Sequence, residues 1–202
     1  MSHALPQERD GVFLATPRLI LRRHRAEDFP AFRAYSADPE LCRMTGSEPP
    51  EDEAALRRAF DYLTGQERCY AMVLRDTGQA VGRLSIRDLP PCIRDHPALA
   101  GKRGASLSFA LSRDFRRRGL MTEALKAVIA HLFQAEKMDY VNCGYFSFND
   151  ASRLLQEKLG FTYLASNPYP GPEGDITAID NILWRSQWEA AAQSSRNEEH
   201  TL

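Results

Sequence analysis

The sequence predicts a single mixed α/β domain. Three observations lead there. A chain of 202 residues suits one domain. Its apolar positions switch between a period of two and a period of 3.6 along the chain. No linker and no internal repeat divides it. The expected boundaries are a flexible arm over 1–11, the domain over 12–188 and a polar tail over 189–202.

The elements follow in order. In residues 18–23, Leu19 and Leu21 alternate with arginine, as in a half-buried strand. Asp28 then reads as a helix cap, with Pro30 near the first helical position and Phe29, Phe32 and Tyr35 as the apolar face. A break is expected near 36–40. In 46–65, Ser47 and two prolines precede Glu51, Asp52 and Glu53, which complement the dipole of a helix's first turn. An acidic pocket for a cationic substrate is the alternative, but capping explains these carboxylates without a ligand. Residues 69–88 read as a hairpin turning at Asp76, Thr77 and Gly78. The stretch 88–104, rich in proline, glycine and charge, exceeds the usual connection of about 4–6 residues. It either covers a substrate site or is an insertion without fixed structure. A strand over 105–111 leads to a long helix with Met121, Leu125, Val128, Ile129, Leu132 and Phe133 on its apolar stripe. A strand over 139–146, a helix over 149–161 capped by Asn149 and stopped by Gly160, and two final strands complete the chain.

Composition excludes several classes. The net charge of −1 gives no global field for nucleic acid. Cys42, Cys69, Cys92 and Cys143 form no CxxC pair and the five histidines are scattered, so neither a zinc site nor a thiol redox motif is expected. The cysteines read as buried free thiols of a reducing compartment. The N-terminus has no apolar signal core, and no apolar run approaches the ~20 residues of a membrane span. A cytoplasmic protein is expected.

The most informative stretch is 112–129, where Arg116, Arg117 and Arg118 precede Gly119 and the long helix. A strand-to-helix turn presents backbone N–H groups without partners, together with the positive end of the helix dipole. Gly119 permits unusual dihedrals and close approach of an anion. The turn is therefore either a phosphate site or an exposed basic turn. It lacks GxxxxGK[ST] and GxGxxG, which argues against nucleotide triphosphate and dinucleotide loops.

The segment from Arg116 through Gly119 to Met121 resembles the Q/R-x-x-G-x-G/A loop of the GNAT N-acetyltransferases. The run 116–125 resembles their RimJ/RimL-like ribosomal-protein branch. Residues 15–32 are similar to that branch's T-x-R-L-x-L-R strand and first helix, 77–86 to its second and third strands, and 149–161 to its N-x-x-S helix ending E-K-x-G-F. The resemblance covers about residues 14–188. It implies a mostly antiparallel twisted sheet of six to seven strands, flanked by about four helices, with the family's fourth and fifth strands splayed around a pantetheine arm. It implies acetyl-CoA as the acyl donor, no metal, a primary-amine acceptor (a protein N-terminus or a small molecule) and no membrane or nucleic-acid partner. The oligomeric state is open.

Carried over residue by residue, Phe109, Ala110 and Leu111 would offer backbone groups to the pantetheine. Arg116, Arg117, Arg118, Gly119, Leu120 and Met121 would wrap the pyrophosphate, with Thr122 in the first helical turn. Asn149 would hydrogen-bond the pantetheine. Two departures stand out. Ser106 occupies the place of the branch's strand glutamate, and Gln156 that of a tyrosine acid found in many relatives. Ser152 matches the branch serine and is the candidate for assisting the thiolate; a hydroxyl turned onto its own helix is the alternative. Tyr145 and Tyr163 are lesser candidates, since strand aromatics usually serve the core. The competing functional readings are a non-catalytic acyl-CoA-binding or regulatory domain and, less well supported, an RNA-binding protein.

Overall fold

Eight strands and seven α-helices make up the described residues, 11–171 and 174–199, of a computed structural model. Of the arm expected over 1–11, residues 1–10 lie outside them. The chain divides into two compact units: one built from the residues up to Ile86 together with Ser108–Val128, the other from Arg87–Leu107 and the residues from Ile129 onward.

In the first unit, β1 (Val12–Ala15), β2 (Leu19–Arg23), β3 (Cys69–Leu74) and β4 (Ala80–Arg87, its last residue in the second unit) form an antiparallel meander. The 75–79 turn has Gly78 at φ 71°, where the hairpin was expected. β1 was not expected: its four residues are partly buried or exposed and carry no alternating pattern. Between β2 and β3 run α1 (Phe29–Ser36), α2 (Pro39–Thr45) and α3 (Glu53–Gly65). The expected break near 36–40 falls at Ala37 and Asp38, between α1 and α2; α2 restarts at once because the Asp38 side chain accepts from the Glu40 N–H and Pro39 takes the first helical position. Asp52 caps α3 through the Ala55 N–H at 2.6 Å, and Glu53 pairs with Arg33 and Arg57. Local bonds thus account for Asp52 and Glu53, as capping requires.

Asp28 does not cap α1 with its side chain. It forms a bidentate pair with Arg22, at 2.7 and 2.8 Å, and accepts from the Arg25 N–H. Burial pushes its carboxyl up, but Arg22 and the Arg25 amide outweigh burial and hold it below the ordinary value. The core beside it is aromatic: Phe60 meets Phe32 at 5.2 Å and Phe29 at 5.4 Å between ring centroids.

β5 (Gly104–Leu111) and α5 (Leu120–Gln134) each run through both units. In the second unit, β5 lies parallel to β6 (Tyr140–Phe146) from Gly104↔Tyr140 to Leu107↔Cys143, where the ladder ends. β6 continues to Phe146 against β8 (Gly174–Trp184), and β8 pairs with β7 (Thr162–Gly171), both antiparallel. Pro168 and Pro170 fit β7 because its only partner in this unit is β8. α6 (Asp150–Lys158) starts at Asn149, and Gly160 follows it at φ 86°, both as expected. The mixed α/β class holds, with more strands and helices than the six to seven and four expected.

The stretch 88–104 is ordered. It carries α4 (Pro91–Arg94) and a 3-10 turn at Pro97–Leu99, and it buries Ile93 and Leu99 against Tyr140 and Ile182. After β8, α7 (Arg185–Glu199) occupies much of the stretch read as a polar tail. Cys42, Cys69 and Cys143 are buried as expected, but Cys92 is exposed because α4 turns it away from Ile93. Among the described residues, no helix is long and apolar enough to cross a membrane.

Candidate functional site

The arginine-glycine turn lies in the first unit. From β5, Ser112 donates its N–H to the Val81 carbonyl at 2.9 Å, and a 3-10 turn over Arg113–Phe115 follows. Arg117 then adopts φ 61° and Gly119 φ 75°, two left-handed residues within three positions. A non-glycine residue there costs of order 1 kcal/mol, so the surrounding structure imposes the shape. Left-handed residues recur in the turns whose successive N–H groups bind anions. The first N–H of α5 to find a carbonyl is that of Glu123, from Gly119 at 3.0 Å; the amides of Leu120, Met121 and Thr122 precede it. Gly119 is exposed, while the Leu120 and Met121 side chains are buried and hold the helix start in place.

The three arginines have three different environments. Arg116 turns inward, donating to the Leu111 carbonyl and pairing with Asp38 at 3.6 Å and Glu40 at 3.4 Å. Arg117 is exposed. Arg118 lies over the Phe115 ring at 5.1 Å. Of the strand residues, Ala110 is buried in the aromatic core, and its carbonyl would stand 2.3 Å from a Cβ at Gly82. Only glycine lets β4 and β5 approach so closely. Phe109 and Leu111 are half-buried.

Sequence reasoning missed the residue that completes this turn. The Arg18 guanidinium donates from Nε to Glu123 Oε2 at 2.6 Å and from Nη1 to the Arg118 carbonyl at 2.8 Å. Its Nη2 would stand 3.4 Å from a Cβ at Gly119 and has no protein partner among the described residues. Glu123 in turn accepts from the Thr16 hydroxyl at 2.6 Å and the Arg18 N–H at 2.9 Å. Burial raises the Glu123 carboxyl, but Thr16 and Arg18 together keep it below its ordinary range, so it stays charged and holds Arg18 in position. The only signal in the sequence was the T-x-R spacing of Thr16 and Arg18.

The remaining candidates lie in the second unit. The Asn149 side-chain oxygen accepts the Ser152 N–H at 3.0 Å. The Ser152 hydroxyl oxygen accepts from Gln156 Nε2 at 3.0 Å, and both side chains are buried. Ser152 is therefore turned to a side chain, not to its own helix backbone. Because Gln156 occupies an oxygen lone pair, the Ser152 hydrogen stays free to donate. Ser106 donates to Asn142 Oδ1 at 2.9 Å. Tyr145 is half-buried, and Tyr163 is exposed with its hydroxyl 3.3 Å from Ser166. Among the described residues no three His, Cys, Asp or Glu side chains gather as a metal site would require.

The chain is similar to known proteins in sequence and in fold. Residues 18–162 match the model of the acetyltransferase (GNAT) domain. The chain is 27% identical over 154 residues to YoaA of Bacillus subtilis, an uncharacterized N-acetyltransferase; the match covers 73% of this chain and 81% of that protein. A GCN5-related N-acetyltransferase from Brucella melitensis has a similar structure, with a TM-score of 0.76 at 16% identity, covering 95% of this chain and 86% of that one. So does a spermidine N-acetyltransferase from Vibrio cholerae in complex with CoA and spermine, with a TM-score of 0.66 at 12% identity, covering 86% and 99%. At these identities the two structures speak for the fold alone. The family model, spanning well over half of the chain and including the whole arginine-glycine turn, shows that this protein belongs to the GNAT acetyltransferase family.

Proposed function

We propose that the protein transfers the acetyl group of acetyl-CoA to a primary amine by direct attack on the thioester. The observation that carries this reading is the 116–123 turn, with its left-handed Arg117 and Gly119, its unpaired helix-start amides and the free Nη2 of Arg18. That set of donors fits a pyrophosphate. In this reading the backbone of Arg116–Thr122 and the Arg18 guanidinium bind the pyrophosphate. Arg116 serves the fold through Asp38 and Glu40, a smaller part than its place in the motif suggested. Phe109, Ala110 and Leu111 offer backbone groups to the pantetheine, and Asn149 hydrogen-bonds it.

The chemistry needs a neutral amine, whose ordinary pKa is about 10.4 on a lysine-like chain. Its lone pair attacks the carbonyl carbon, the C–S bond breaks, the amine's proton passes to solvent and CoA departs as a thiolate that takes up a proton. Ser152, with its hydrogen left free by Gln156, donates a hydrogen bond to that sulfur. Gln156, at the place of the relatives' tyrosine, thus acts as a positioning residue.

The acceptor is a protein N-terminal amine, as in the RimJ/RimL-like branch, or a small amine. Incubation with acetyl-CoA and a panel of N-terminal peptides, mono-amines and polyamines, followed by mass spectrometry, tests the reading. A gain of one acetyl group on an amine is the expected result. Tight binding of CoA with no acetylated product would instead favour a non-catalytic acyl-CoA-binding domain.

A further inference from the structure

One polar cluster of the second unit lies among residues other than those assigned above to the acyl donor. Strands β5, β6, β8 and β7 bring Ser106, Asn142, Asp180 and Asn167 to the same face. Asn142 donates to Asp180 Oδ1 at 3.2 Å and to the Asn181 carbonyl at 3.1 Å, while its own oxygen accepts from Ser106. Asn167 donates to Asp180 Oδ2 at 3.3 Å. Asp180 is 8% exposed, yet no arginine, lysine or histidine pairs with it among the described residues. A carboxylate in such surroundings is costly unless an opposite charge joins it. Two neutral carboxamides fix both oxygens without supplying that charge.

The face is exposed at Gly144. Gly144 stands directly opposite Asp180 and is exposed, between buried Cys143 and half-buried Tyr145. A Cβ at Gly144 would lie 3.1 Å from Asp180 Oδ1, so the missing side chain is what uncovers the carboxylate. Beside the opening on this face, the Phe146 ring packs against Tyr169 at 5.0 Å, and Tyr169 is 40% exposed. Toward the other end, Ile93 and Leu99 of the 88–104 stretch cover Tyr140 and Ile182. A carboxylate floor with an aromatic wall suits an ammonium head on an apolar stem.

We propose that Asp180, reached past Gly144 and held by Asn142 and Asn167, anchors the amine acceptor as its ammonium ion, which loses a proton to solvent before the neutral amine attacks. This rests on the reading of the protein as an amine acetyltransferase, and it assigns the residue that recognises the amine. Calorimetry with putrescine, spermidine and an alanine tripeptide as probes tests it, with acetyl-CoA binding measured in parallel. At least one probe is expected to bind the wild type. Asp180→Asn, nearly the same in shape, should weaken that probe by roughly 30-fold or more, the scale of losing a buried charge partner, while acetyl-CoA affinity stays within about twofold. Equal amine affinity in D180N overturns the proposal, as does a wild type that binds none of the probes. If D180N loses its cooperative melting, Gly144→Val carries the test, since it fills the opening and keeps the carboxylate. Lost amine affinity with an intact melt then supports the proposal, and unchanged affinity overturns it. A wild type that binds an amine through Asp180 but acetylates none leaves this site standing and removes the acetyl-transfer reading instead.

Discussion

Arg18→Ala isolates the contribution of the guanidinium that lies beside Gly119. The side chain is already held by two of its nitrogens, at 2.6 Å to Glu123 and 2.8 Å to the Arg118 carbonyl, so Nη2 is ordered before any anion arrives. A hydrogen bond to a charged group contributes about 1.5–3 kcal/mol. Half of the Arg18 side chain is exposed, and solvent screening reduces the figure to about 1–1.5 kcal/mol. Affinity for acetyl-CoA should therefore fall roughly 5- to 12-fold, measured by calorimetry at low salt. Acetyl-pantetheine, which lacks the pyrophosphate, is the control and should bind R18A and wild type alike. The loss should also shrink as salt rises. Equal acetyl-CoA affinity in R18A at low salt, or an equal loss for acetyl-pantetheine, would refute the assignment of Arg18 to the pyrophosphate.

Ser152→Ala should lower kcat more than it raises the KM for acetyl-CoA, because the hydroxyl is assigned to the departing sulfur; steady-state kinetics with thiol detection gives the split. Asp28→Asn breaks a pair whose side chains are only 7% and 4% exposed, and it should cost about 3–5 kcal/mol in urea unfolding. Acid should destabilise the first unit in two stages. Burial lowers His24 to about 4, so the stability from keeping it neutral is complete above its ordinary value of about 6.5 and is lost as pH falls toward 4, a loss of order 2–3 kcal/mol. Asp28, also lowered, contributes above an ordinary aspartate value of about 3.9 and is lost below it. Melting temperatures between pH 8 and pH 3 should show both steps, and His24→Phe should remove only the upper one.

Periodic and capped elements were legible in the sequence. The hairpin around Gly78, the stripe of α5 and the Asn149-to-Gly160 helix each carry a local signal that tertiary packing did not override. β1 and α7 lacked one: the first is four residues long, and the second is too polar to show a core face. Asp-Pro at 38–39 marked the break after α1 correctly, but the helix that follows it was not foreseen, because its cap is a contact between Asp38 and the Glu40 N–H. The site divides in the same way. Gly119 and its turn stood out because one short stretch contains them. Arg18 reaches Glu123 across 105 positions, and Asn142 reaches Asp180 across 38. A single sequence without periodicity between such residues gives no indication that they meet.

The Thr16–Arg18–Glu123 clamp also limits what can be moved or trimmed. A peptide copied from 112–129, or a graft of that stretch into another scaffold, would keep Gly119 and the helix-start amides but leave Glu123 without Arg18. Shortening the chain from the front has the same effect once it passes Arg18, long before any residue of the turn is lost. The anion grip therefore belongs to two distant parts of the chain, and an affinity tag or fusion joined just before Thr16 sits next to it.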